Sequence, residues 1–198
     1  HQAGGAFVDR PINYVQAAEA LRTALEVDPG TAPGSAFANT AQTIMAAHIS
    51  TRERLPILDS FYETILSGVP TPQTVLDIAC GLNPLARPWM PFPAATTLIA
   101  SDIYGDQIAF LNEAMVLGGY SGTAEVRDVV HDPPTQAADL AFILKTLPCQ
   151  EAIDKNAAGR LIAAINAPLQ DVSFPAQSLG GRRKGMVAHY EARFRDLL

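Results

Sequence analysis

The stretch Thr74-Val75-Leu76-Asp77-Ile78-Ala79-Cys80-Gly81-Leu82-Asn83-Pro84 (TVLDIACGLNP, 74–84) decides the architecture. An apolar run of strand length, broken by one acid, stops at a small-residue turn that ends in proline. Runs of similar length recur at 97–102 (TLIASD), 123–127 (TAEVR), 139–144 (DLAFIL) and 171–174 (DVSF), with helix-like stretches near 106–117 and 150–166. Strands alternating with helices predict an α/β fold with a parallel sheet covered on both faces.

Upstream of Pro70 the texture is helical. Residues 15–27 (VQAAEALRTALEV) carry apolar side chains at helical spacing and end at Asp28-Pro29-Gly30, and 36–48 form a second candidate. Ser50 and Glu53 have the spacing of a capping box for a third helix that buries Leu55, Leu58, Phe61, Tyr62, Ile65 and Leu66, with Pro56 placed to start or kink it. The chain is thereby expected to divide into a helical region, 1–70, and a sheet region, 71–198.

At 198 residues, 48% apolar and net charge −6, the chain can bury one substantial core. It has no run of eighteen apolar residues, and its N-terminus lacks the order of a secretion signal, so a cytoplasmic address is the default. Cys80 and Cys149 are too few for a disulfide framework and lack zinc-site spacing; they read as buried thiols, and no metal is expected. His48, His131 and His189 do not cluster and read as structural.

In a doubly wound sheet, ligands sit beyond the carboxyl ends of the strands where the strand order reverses. Asp102 ends the second run, twenty-five residues after Asp77, where an acid accepts two ribose hydroxyls. A dinucleotide would need G-x-G-x-x-G to close backbone amides on a pyrophosphate, and here only Gly81 is present, flanked by Ala79 and Asn83. S-adenosylmethionine carries no phosphate, so one close backbone approach and a nearby acid suffice. Taken alone, the turn is also compatible with an ordinary strand-to-helix connection in an unrelated α/β protein. Asp128 is placed to accept from an adenine amino group or to be a solvated turn carboxylate. Lys145, after the fourth run, is either functional or a strand-end lysine reaching for solvent.

Two short motifs mislead. Pro148-Cys149-Gln150 is similar to the covalent motif of cytosine-C5 methyltransferases, but the next strand, DVSFPAQ, lacks the glutamate that chemistry needs. Asp132-Pro133-Pro134-Thr135 is similar to an amino-group methyltransferase motif, but follows the wrong strand and lacks the stacking aromatic.

Four segments in order, HISTRERLP (48–56), VLDIACGLNPL (75–85), LKTLPCQE (144–151) and VSFPAQSLGGRRKGM (172–186), make the chain resemble the aminoglycoside-resistance 16S ribosomal RNA guanine-N7 methyltransferases. That group modifies the guanine at position 1405 of the decoding site, and the likeness runs from about His1 to Phe194. The resemblance implies a helical N-terminal subdomain that docks on the assembled 30S subunit and a Rossmann-like class I methyltransferase sheet using S-adenosyl-L-methionine. It implies cofactor contacts from Arg54, Asp77, Ala79, Gly81, Asp102 and Asp128, with Ile103, Val129 and Leu144 beside them at the strand ends. Lys145, Arg182, Arg183, Lys184 and Tyr190 are implied on the RNA side, with Lys145, Arg182 and Met186 orienting the target base. Members commonly read S-F-P-T-R-S-L-G, where this chain has Ala176 and Gln177, so a cation expected at 177 is absent. The resemblance also implies a native chain that continues beyond both ends, to complete the helical region and add two strands.

Guanine N7 has a lone pair and no proton to lose, so alignment with the sulfonium methyl matters and no general base is required. Five of the fourteen basic residues lie between Arg182 and Arg195, a local positive segment that RNA phosphates attract although the whole chain is acidic. Gly180, Gly181 and Gly185 let that backbone approach a phosphate chain, and the buried methyl requires the base to leave its stack. The competing expectations are a methyltransferase acting on another nucleic acid or a small molecule, and a non-catalytic ribosome-binding relative that kept the fold, for which Gln177 is the sequence support.

Overall fold

The computed structural model describes residues 11–152, 154–175 and 186–195. Five parallel strands form one sheet: β1 (Thr74–Ile78), β2 (Thr97–Asp102), β3 (Gly122–Val126), β4 (Leu140–Leu144) and β5 (Leu169–Ser173). Their order is β3-β2-β1-β4-β5. The chain therefore steps outward from β1 to β3 and returns to the other side of β1, which puts the switch point between β1 and β4. Val75 lies opposite both Leu98 of β2 and Leu140 of β4, so the central strand is buried on both sides. The alternation read from sequence is realised, with shifts of one or two residues at the ends. β3 starts at Gly122 because a side chain there would meet the Leu98 carbonyl oxygen at 2.2 Å.

The N-terminal helices are α1 (Tyr14–Val27), α2 (Ala36–Met45), a short α3 (Ile49–Arg52) and α4 (Leu58–Ile65). Asn13 caps α1 by accepting from the Gln16 amide, and Ser35 caps α2 by accepting from Ala38; such a cap is worth about 1 kcal/mol. The third cap departs from the sequence reading. Ser50 lies inside α3, whose N-cap position is His48, and its hydroxyl bonds His48 Nδ1 at 2.8 Å. The Glu53 carboxylate pairs with Lys145, far away in sequence, so no capping box forms. Pro56 sits in a 3₁₀ turn, Leu55–Ile57, that leads into α4.

Where a doubly wound fold usually places a helix after its first strand, this chain has a 3₁₀ stretch, Asn83–Trp89. Pro88, in the second turn, lacks the amide an α-helix would need there, and the space is filled by α2 and α4, which pack on this stretch. One apolar core then runs from Leu21, Phe37, Met45 and Tyr62 through Leu85 to Val75, Leu98 and Phe142. Burial of each such aliphatic side chain contributes about 1.5–3 kcal/mol. The N-terminal helices thus form the layer over this face of the sheet, together with α5 (Gly105–Leu117). The opposite face packs Leu76, Ile78 and Ile143 on α6 (Leu147–Glu151) and α7 (Ala157–Ala164). The single helix-like stretch expected at 150–166 is therefore two helices. The last helix, α8 (Met186–Arg195), returns toward β5, where the Tyr190 ring stacks on Phe174.

Candidate active site at the carboxyl rim of the sheet

Two non-glycine residues among those described have positive φ, and they are the first residues after β1 and β4: Ala79 at +50° and Lys145 at +61°. Backbone strain of this kind costs on the order of 1 kcal/mol or more and persists where the surroundings over-determine it. Both flank the switch point. Gly81 follows at +53°, and a side chain there would press on His48 at 3.2 Å and on the Ser50 hydroxyl at 3.5 Å. The turn after β1 is held from all sides. The Gly81 amide donates to Asp102 Oδ2 at 2.9 Å, and Gln107 Nε2 donates to the Gly81 carbonyl at 3.0 Å.

Asp77 projects from β1 toward the helical layer and is 1% exposed. Asn83 Nδ2 donates to its Oδ2 at 2.9 Å, and the buried Tyr62 hydroxyl donates to Asn83 Oδ1 at 2.7 Å. Among the described residues Asp77 Oδ1 has no partner. Burial pushes this carboxyl up to about 7, against the opposing pull of Asn83 and of nearby Arg54. Arg54 is itself 5% exposed, and its Nε and Nη1 are buried without partners, while its guanidinium lies 5.5 Å from the centre of the Phe61 ring. Buried polar groups are almost always satisfied, so a cation and an acid left open together mark a place where a ligand completes the bonding. The complementary ligand presents a carboxylate to Arg54 and an ammonium to Asp77, the two ends of an α-amino acid.

Asp102, at the end of β2, accepts from the amides of Gly81 and Ile103 through separate oxygens, which leaves one lone pair on each for a vicinal diol. Beside it Ile103, Tyr104 and Val126 form an exposed apolar strip at the ends of β2 and β3, suited to the flat face of a base. The sequence reading named Ile103 but not Tyr104 or Val126, although apolar residues at consecutive strand ends are a legible signal. It also read Asn83 only as a turn residue and Tyr62 only as core; both carry the hydrogen-bond chain that holds Asp77.

The structure thus gathers Arg54, Asp77, Ala79, Gly81, Asp102 and Ile103 at one rim. Asp128 lies in the loop after β3, directly after Arg127, whose amide donates to the Asp102 carbonyl at 2.8 Å; it is exposed and paired with His131 Nδ1 at 2.8 Å, a bond that holds its carboxyl below the usual range. Val129 departs from its expected place: its side chain is buried in the core on the opposite face, because the loop closes there over Leu76 and Ile78. Leu144 packs against the first core. Lys145 pairs with Glu53 and donates to the Ser50 carbonyl at 3.4 Å. Tyr190, expected on the RNA side, stacks on Phe174 with ring centres 4.9 Å apart. Met186 begins α8, and Arg182, Arg183, Lys184 and Gln177 lie outside the described residues. Burial raises the pKa of both thiols, Cys80 and Cys149, so neither is poised as a nucleophile. Among the described residues no group of three or more His, Cys, Asp or Glu side chains could hold a metal, and no helix is long and apolar enough to cross a membrane.

The chain is also similar to known proteins. The family model of the FmrO ribosomal RNA methyltransferases matches residues 12–197. A 16S rRNA (guanine(1405)-N(7))-methyltransferase of Micromonospora echinospora is 38% identical over 195 residues, covering 98% of this chain and 70% of that protein. The enzyme of the same name from Frankia casuarinae is 46% identical over 160 residues, covering 80% of this chain but only 56% of its own length. Among solved structures, the 16S rRNA methyltransferase RmtF in complex with S-adenosyl-L-homocysteine is similar over the whole chain and 71% of its own, with 32% identity and a TM-score of 0.80. With the rim, the sheet order and these likenesses in agreement, the chain belongs to the FmrO family of ribosomal RNA methyltransferases.

Proposed function

We propose that this chain transfers a methyl group from S-adenosyl-L-methionine to N7 of guanine 1405 in the 16S rRNA of the assembled 30S subunit, weakening aminoglycoside binding at the decoding site. The observation that carries the reading is the pair of buried, unsatisfied groups, Arg54 Nε and Nη1 and Asp77 Oδ1, beside the Asp102 carboxylate. Those residues fit the donor: Arg54 holds its carboxylate, Asp77 its ammonium and Asp102 its ribose, with Ile103 and Tyr104 against the base and Asp128 on the neighbouring loop. When bound, S-adenosylmethionine supplies an electrophilic methyl on a positive sulfur. The chain's own task is alignment, since the guanine nitrogen has no proton to remove. The fixed turn at Ala79–Gly81 and the pinned Lys145 provide a rigid frame for it.

On this reading the N-terminal helices dock on the subunit, and Lys145, Arg182, Arg183 and Lys184 meet the RNA, with Lys145, Arg182 and Met186 beside the flipped base. Tyr190 acts from its stack on Phe174. A ribosomal substrate implies a cytoplasmic protein. The test supplies labelled donor and purified 30S subunits, then maps the product by borohydride and aniline cleavage at 7-methylguanosine followed by primer extension. Label at guanine 1405 of intact subunits is the expected result. Label on free 16S rRNA but not on subunits, or on another nucleotide, contradicts the reading.

A further inference from the structure

We infer that Glu53 is a positioning residue, fixing the Lys145 ammonium at the rim where the target base arrives. The inference rests on the guanine-N7 reading and extends it to a residue outside the cofactor and RNA sets. Lys145 is held twice over. Its backbone has φ +61° and its amide donates to the Ser173 carbonyl at 2.9 Å, so the last residue of β5 fixes where its side chain departs. Its side chain is only 11% exposed, and Nζ is gripped by the Glu53 carboxylate and the Ser50 carbonyl.

A lysine on a four-carbon stem ordinarily samples many rotamers, and an exposed ion pair does little to restrict it. Here the stem is covered, and the two acceptors come from one short helical turn. That turn is itself anchored: the Ser50 hydroxyl bonds His48, and the His48 ring sits against Gly81 of the cofactor turn. Two of the three ammonium hydrogens are thereby committed, leaving one for an incoming acceptor. Glu53 also directly precedes Arg54. A single turn, 48–54, therefore faces the donor site with one residue and sets the nucleic-acid-side cation with its neighbour. Glu53 touches neither ligand in this arrangement; it acts through Lys145.

The test is a double-mutant cycle in the whole protein: wild type, Glu53→Gln, Lys145→Met and the double variant, assayed by single-turnover transfer to saturating 30S subunits, with S-adenosylhomocysteine affinity measured in parallel. Glu53→Gln is expected to slow transfer about tenfold with donor-site affinity changed less than twofold. Lys145→Met alone and the double variant are expected to be equally slow, and Glu53→Asp, which keeps the charge, to recover at least threefold of the loss. A full tenfold effect of Glu53→Gln in the Lys145→Met background overturns the inference, as does an equal loss of donor affinity. Faster transfer or tighter subunit binding by Glu53→Gln also overturns it, since the pair would then be a brake. No transfer by the wild type overturns the guanine-N7 reading and this inference together, whereas additivity with an active wild type overturns this inference alone.

Discussion

Glu53 and Arg54 are adjacent on one turn, yet they meet opposite fates. The charge of Glu53 is answered within the chain by Lys145, at the end of β4. Arg54 points to the end of β1, where Asp77 is close enough to feel its charge, yet Nε, Nη1 and Asp77 Oδ1 all remain open. A satisfied pair costs little to keep and fixes a geometry. An open buried pair is costly, and on the proposed reading a ligand closes it. On that reading the difference separates the residue that binds from the residue that positions.

The sharpest way to break this contrast is Arg54→Met. Removing a buried cation with unmet donors should weaken S-adenosylhomocysteine binding about 100-fold, since charged hydrogen bonds contribute roughly 1.5–3 kcal/mol each. The same change should leave the melting temperature unchanged or raise it, which differential scanning calorimetry will show. A large drop in melting temperature would mean that Arg54 is structural.

The second effect is one of pH. With its pKa lifted from 3.8 to about 7, Asp77 retains a proton in the folded state that the unfolded chain has already released. Its contribution to stability therefore falls as pH rises from about 4 to about 7. A donor ammonium needs the ionised form, so affinity should rise about tenfold between pH 6 and pH 8, and Asp77→Asn should abolish that slope. Calorimetric titration across this range is the check.

On the proposed RNA side, replacing both Arg182 and Lys184 by Ala should leave donor affinity intact while reducing 30S binding several-fold. The slope of log affinity against log salt should flatten by about one for each phosphate no longer neutralised. Filter binding at graded salt measures it. The smallest effect belongs to Tyr62→Phe, which removes one neutral hydrogen bond to Asn83. A loss of about 1 kcal/mol, or roughly fivefold in donor affinity, is expected.

The sheet was legible in the sequence because strand-length apolar runs and helical periods are local signals. Asp77, Gly81 and Asp102 were legible because the strand ends define the rim before any packing is known. Glu53 was misread as a cap because Lys145, which takes its carboxylate, lies 92 positions away. Tyr62 fell on the apolar stripe of α4 and was read as core; its hydroxyl matters only once Asn83 is beneath it. Val129 sits next to Asp128 in sequence, but the turn after β3 buries its side chain against Leu76 and Ile78 of the other core. In each case the missing information was a tertiary neighbour.

At the centre stands the proposal that the open Arg54–Asp77 pair receives the amino-acid end of the methyl donor. Calorimetry comparing S-adenosylhomocysteine with methylthioadenosine, which keeps the nucleoside and lacks that end, tests it most directly. The amino-acid end is predicted to add about 100-fold in affinity, and the advantage to disappear in Arg54→Met. Equal binding of the two compounds, or an advantage that survives the substitution, would contradict it.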